Sequence, residues 1–185
     1  RILENIELAN KLGFKPIKIN TVLLKGFNDG EILDFCEFAA KTNTFVRFIE
    51  FMPVGDNKWN EDKIIKKEDV LKIISSKYSF KKIEDHYNTT STDYQLSNGG
   101  IIGLITPITN HFCKYCNKIR ILANGNIRPC LLSNNEISLF DIIKKRDSKN
   151  FLKTVQKAID MKPKNHNIIN DKGGGNDTPM SSIGG

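Results

Sequence analysis

The sequence predicts an α/β fold, and three observations predict it. The first half alternates helical and strand patterns with short links between them. Its strand candidates are rich in β-branched and aromatic residues. Beyond Phe80 the pattern changes to short strands joined by Asn-Gly turns, which marks a second, smaller α+β region.

The elements follow in order. "RILENIELANKLG" spaces Ile2, Ile6, Ala9 and Leu12 at near-helical intervals and stops at Gly13, a C-capping glycine. "PIKINTVLL" reads as a strand that ends at the loop "KGFNDG". "EILDFCEFAAKT" is an amphipathic helix with Ile32, Leu33, Phe35, Phe38 and Ala39 on its apolar side, and "TFVRFIEFM" is the next strand. Helix–strand–helix–strand grammar implies parallel strands. Two parallel strands leave faces and edges uncovered, so the chain is expected to begin inside a domain whose other strands lie upstream. "IIKKEDVLKIISSKY" is a further helix. "FKKIED", "TDYQL" and "GIIGLIT" are short strands, the last two joined at "SNGG". "KIRILANGNIRPCL" is a second hairpin, with Asn124 and Gly125 expected at positive φ. Two helices, "ISLFDIIKKR" and "NFLKTVQKAIDMKP", precede a polar, glycine-rich ending without periodicity.

Composition narrows the function classes. The 185 residues carry 28 Lys and Arg against 21 Asp and Glu, a formal net charge of +7. That balance suits an anionic ligand or a lysine-coated surface. Nucleic acid is disfavoured as a partner, because aromatic residues do not interleave the basic ones as stacking platforms. No apolar run approaches the roughly 20 residues that span a bilayer. Four cysteines are too few for a disulfide scaffold, and a C-x2-C among them points to a reducing compartment and a metal.

Three of those cysteines, Cys113, Cys116 and Cys130, fall in "HFCKYCNKIRILANGNIRPCL". The hairpin folds Cys130 back toward the strand after Cys116, so a gap of thirteen residues becomes proximity. Zinc held by three Cys and an inward-turned His111 is one reading; a [4Fe–4S] cluster with one iron left open is the other. Thr106 to Leu132 contains no Asp or Glu, while Lys114, Lys118, Arg120 and Arg128 are basic. Such a stretch can bind a phosphate-bearing molecule or balance the charge of a cluster. Cys36, alone inside a helix, reads as a small core residue.

The block C-x2-C-N-[basic]-x-R, the Asn-Gly hairpin and R-x-C-L together resemble the C-terminal cluster motif of the GTP 3',8-cyclase family. These are radical S-adenosylmethionine enzymes that begin molybdenum cofactor biosynthesis. "KINTVLLKGFND", "RFIEFMPVG" and the ending "MSSIGG" are similar to further stretches of that family, in the same order, from Arg1 to Gly185. The resemblance implies that residues 1–78 are the C-terminal part of an incomplete TIM-like (βα)6 barrel. Residues 79–162 would form a cluster- and GTP-binding region, and 163–185 a flexible tail ending in Gly-Gly. It implies a lyase activity, cyclising GTP to (8S)-3',8-cyclo-7,8-dihydroguanosine 5'-triphosphate. Cys113, Cys116 and Cys130 would hold a [4Fe–4S] cluster. Lys18, Lys118, Ile119 and Arg120 would contact GTP, and Met52 would contact S-adenosylmethionine. Arg120, Gly184 and Gly185 would take part in catalysis, the two glycines where only bare backbone fits. An electron donor of flavodoxin or ferredoxin type, and a cytoplasmic or mitochondrial-matrix location, come with the family; a homodimer stays open.

Plainer readings stand beside these. Lys18 can be a strand-end lysine, Met52 core filler, and Gly184–Gly185 a frayed end. A stand-alone iron–sulfur or zinc module without catalysis is the alternative function. Two departures matter. The family's S-adenosylmethionine-cleaving C-x3-C-x2-C motif, with its own [4Fe–4S] cluster, is absent from this sequence, so the chain by itself is expected to be inactive. Lys118 stands where the family usually has Arg; it keeps the charge and loses the planar fork.

Overall fold

A computed structural model describes residues 1–84, 90–166 and 177–183 of the chain. The chain divides into two compact units. The first comprises 1–51 and 62–110, the second 52–61 and 111–185. The class is mixed α/β, as the alternation predicts.

The first unit is built on a five-stranded sheet. Its strands are β1 (Lys18–Leu23), β2 (Phe45–Glu50), β3 (Phe80–Lys82), β4 (Thr92–Leu96) and β5 (Ile101–Ile105), in the order β1-β2-β5-β4-β3. β1, β2 and β5 run parallel, and β4 and β3 add antiparallel strands at one side. The parallel part uses the helices expected of it: α1 (Ile2–Lys11), α2 (Ile32–Thr42) and α3 (Lys67–Ser75). α1 ends on Gly13 at φ +82°, with Phe14 N–H donating back to the Ala9 carbonyl at 3.1 Å. α2 buries Ile32, Cys36 and Ala39, a stripe at helical spacing with the cysteine at its centre.

The core of this unit lies between sheet and helices. Val46 and Phe48 of β2 and Ile102 and Leu104 of β5 meet Ile32, Cys36 and Ala39 of α2 and Val70 and Ile74 of α3. Phe35 sits edge-on to Phe48, with centroids 5.9 Å apart. Glu50 ends β2 as a buried carboxylate. It accepts from Ile108 N–H at 2.8 Å, Thr109 N–H at 3.1 Å and the Thr109 hydroxyl, which anchors the loop after β5. At Gly103, in the middle of β5, a Cβ would collide with the Ser91 hydroxyl and the Asp93 carboxylate.

The strands from Phe80 to Ile105 therefore extend the first sheet, and the expected cut between 78 and 79 falls inside the first unit. The physical reason is β2. Its second edge needs a partner, and the continuously apolar "IIGLI" of β5 suits a central strand covered on both faces. The neighbour that β2 requires comes from within the chain.

The second unit holds a three-stranded antiparallel sheet of β6 (Arg120–Ile121), β7 (Asn126–Arg128) and β8 (Ile137–Ser138), with α4 (Phe140–Lys144), α5 (Ser148–Asp160) and α6 (Met180–Ile183). The helix expected over 137–146 is shorter, because Ile137 pairs with Ile127 in the sheet and helix begins only at Phe140. Ile127, Leu139 and Ala158 form one buried cluster; Val54, Leu122 and Ile183 form another. The tail expected over 163–185 is described only at 163–166 and 177–183. In the latter stretch Asp177 N–H donates to Asn134 Oδ1 at 3.1 Å, and Ile183 is buried. Gly184 and Gly185 lie outside the described residues.

Candidate functional site

The cysteine hairpin forms where the sequence places it. Leu122 to Gly125 make the turn: Gly125 N–H donates to the Leu122 carbonyl at 2.9 Å, and Leu122 N–H to the Asn126 carbonyl at 2.8 Å. Gly125 alone takes positive φ, +81°. Asn124 keeps negative φ and instead offers its side-chain oxygen to Asn126 N–H at 3.0 Å. The turn is thus a tight turn closed by a left-handed glycine, and the expectation of positive φ at both residues is corrected.

Cys113 and Cys116 stand on a single 3-10 turn, Cys113–Tyr115, with Cys116 N–H donating to the Cys113 carbonyl at 3.1 Å. Cys130 follows β7 on the returning arm. All three thiols are half-buried and unbridged. Burial pushes the Cys130 thiol up, the ammonium of Lys162 works against that rise, and Cys113 and Cys116 add to it by charge. Among the described residues no three His, Cys, Asp or Glu side chains converge as a cage for a single ion. Ligands ringing a multi-iron cluster need not meet at one point, so the donor set, three soft thiolates in a stretch of sequence without Asp or Glu, suits such a cluster. His111 lies edge-on to His166, with ring centroids 5.3 Å apart.

The basic residues divide into two kinds. Arg128 is 1% exposed and donates to Glu136, and at 2.8 Å to the Thr178 hydroxyl. One terminal nitrogen thus ties Arg128 to its own unit, while its Nε and other terminal nitrogen are buried without a hydrogen-bond partner among the described residues. The acid-free window closes at Leu132, and the carboxylate that claims Arg128 comes from just beyond it. Asn126 first, then Arg128, hold the Glu136 carboxyl below its ordinary range. Lys114 sits 5.6 Å from the ring of Tyr115. Lys118 is exposed, while Arg120 is half-buried at the start of β6, opposite Arg128 in register. Ile119 packs its side chain against the Ile127 cluster.

Met52 packs, half-buried, against the cluster of Val54, Leu122 and Ile183, and its carbonyl accepts from Asn57 Nδ2 at 2.6 Å. Lys18, in the first unit, is exposed at the start of β1, 5.8 Å from the Phe45 ring centroid. Cys36 is fully buried, and burial first, with Glu37 second, pushes its thiol up to about 12. It is the core residue expected. Lys162 is the residue that sequence reasoning missed. It lies 33 positions or more from every group it touches at the hairpin, and no local pattern marks it.

Residues 44–168 match the family model described as Molybdenum Cofactor Synthesis C. Among curated relatives, a protein of Alkaliphilus oremlandii named GTP 3',8-cyclase is 36% identical over 190 residues, covering all of this chain and 57% of that protein. One of the same name from Syntrophomonas wolfei is 39% identical, covering all of this chain and 58% of that protein. An Arabidopsis thaliana protein named GTP 3',8-cyclase, mitochondrial, is 35% identical, covering all of this chain and 48% of its own length. The chain spans about half the length of the curated relatives it matches.

Proposed function

The chain belongs to the Molybdenum Cofactor Synthesis C family, and from that premise we propose that it supplies the substrate-holding part of a GTP 3',8-cyclase. In this reading GTP is cyclised by radical S-adenosylmethionine chemistry at the first step of molybdenum cofactor synthesis. The supporting observation is the hairpin that gathers Cys113, Cys116 and Cys130 in a stretch free of acids. These three thiolates would hold a [4Fe–4S] cluster. When bound, such a cluster supplies an iron with an open coordination position, a Lewis acid for the guanine end of the nucleotide.

The residues of the chain have separable tasks in this reading. Lys118 and Arg120 give charge-assisted hydrogen bonds to the nucleotide, Arg120 with the directional fork that Lys118 lacks. Ile119, half-buried against the Ile127 cluster, would contact GTP from between these two basic residues. Lys18 would reach GTP from the parallel sheet, Met52 would touch S-adenosylmethionine, and Gly184 and Gly185 would enter the reaction site. Arrangement of the first unit as part of a partial (βα)6 barrel is consistent with its parallel β1, β2 and β5. A second [4Fe–4S] cluster, a flavodoxin- or ferredoxin-type electron donor and a cytoplasmic or mitochondrial-matrix setting complete the proposal. Among the described residues no helix is long and apolar enough to cross a membrane.

The test is anaerobic reconstitution followed by metal and sulfide analysis and GTP titration. Iron with matching acid-labile sulfide is expected. Zinc without sulfide sinks the reading and leaves a plain metal module. Arg120→Ala is expected to weaken GTP binding roughly 10- to 100-fold, the worth of one charged hydrogen bond. An unchanged affinity removes Arg120 from the nucleotide site.

A further inference from the structure

α5 packs on β7 through Ala158, Phe151 and Val155, against Ile127 and Leu139. It ends at Asp160, and the next turn carries Lys162 to the cysteine hairpin. A lysine ammonium has three N–H donors and no acceptor capacity. Here each donor has its own acceptor: Cys116 Sγ at 3.5 Å, the Lys118 carbonyl at 2.6 Å and the Pro129 carbonyl at 3.2 Å. The acceptors stand on both arms of the hairpin. Cys116 and Lys118 belong to the outgoing arm, and Pro129 immediately precedes Cys130 on the return.

We infer that Lys162 is the positioning residue of the three-cysteine site: one cation that fixes the distance between the arms and sets the charge felt by the cluster. The inference rests on the iron–sulfur reading above. Three thiolates around an iron–sulfur core carry net negative charge, and hydrogen bonds to the ligand sulfurs are among the determinants of cluster potential. Of the other basic side chains of the hairpin, Arg128 is paired to Glu136, Lys114 lies beside Tyr115, Lys118 is exposed and Arg120 is half-buried at the start of β6. The helix that brings Lys162 is docked by apolar residues, so the clamp is separable from the packing of α5. A compact ammonium suits three acceptors converging on a point. A guanidinium keeps the charge and spreads its donors over a plane.

The full 185-residue chain is reconstituted anaerobically with iron and sulfide, as wild type, Lys162→Met and Lys162→Arg. Cluster midpoint potential and the rate of iron loss to a chelator are measured on each. Lys162→Met is expected to shift the potential to a more negative value and to lose iron about tenfold faster, the low end of what second-shell changes cost a metal site. Lys162→Arg should keep a potential near wild type and lose iron at an intermediate rate. If Lys162→Met does not fold, Lys162→Gln, which also removes the charge, takes the same measurements. A potential unmoved by removal of the charge overturns the inference, whatever happens to iron retention. A wild-type chain that takes no iron and sulfide fails earlier, at the cluster reading, and carries this inference down with it.

Discussion

The two units differ in how far polar groups share the work of holding them together. In the first, one continuous apolar cluster joins sheet and helices, and Glu50 is a buried carboxylate that anchors a loop. In the second, each of two small clusters has three buried members, and polar ties do much of the holding: Arg128 with Glu136 and Thr178, Asn134 with Asp177, and Lys162 with both hairpin arms. The unit rich in apolar burial carries little recognisable chemistry. The unit that carries the cysteines spends charged side chains on its own architecture. A basic residue beside a candidate ligand site is therefore weak evidence for ligand contact until its own carboxylate or carbonyl partner has been sought.

The contrast can be tested from its strongest side. Phe48→Ala removes a large side chain from the first core and is expected to cost about 3–5 kcal/mol in denaturant unfolding. A loss below about 1 kcal/mol would break the contrast, since it would mean that the cluster around Phe48 collapses freely. A smaller effect is expected in the second unit from Glu136→Gln, about 1–2 kcal/mol at neutral pH from weakened hydrogen bonds to a charged group. The sign with pH follows from a carboxyl held below its ordinary value when folded. Its contribution is present above the unfolded value of about 4.3 and is lost as pH falls through the lower folded value. Melting of the wild type should thus decline more steeply in that acid range than melting of Glu136→Gln. Parallel declines would show that this tie contributes nothing. The smallest effect is expected at Asp147, which caps α5 by accepting from Asn150 N–H at 3.1 Å. Asp147→Ala should show as faster amide exchange in the first turn of that helix, with little change in global melting.

What the sequence disclosed was local. Gly13 ends α1 and the Asn-Gly turns close both hairpins, because each depends on residues a few positions apart. The rest depended on distant partners. β5 joins β2 across some fifty residues, a pairing that neither strand's pattern specifies alone. The helix starting at Ile137 loses its first turn because Ile127 claims Ile137 for a sheet. The pairing of Arg128 with Glu136 lies beyond the acid-free stretch, and Lys162 reads as an ordinary lysine at the end of a helix. Local pattern shows which element forms; it does not show which side chain is already taken.

The buried cysteine of α2 carries a last consequence. Cys36 shares a chain with three half-buried thiols, yet its proton is held up to about 12 inside the first core. The chain thus has two thiol populations under one composition. One population is half-exposed at the hairpin of the second unit. The other is closed to reagents and oxidants until the first sheet itself opens, so the fourth thiol is a clock for unfolding.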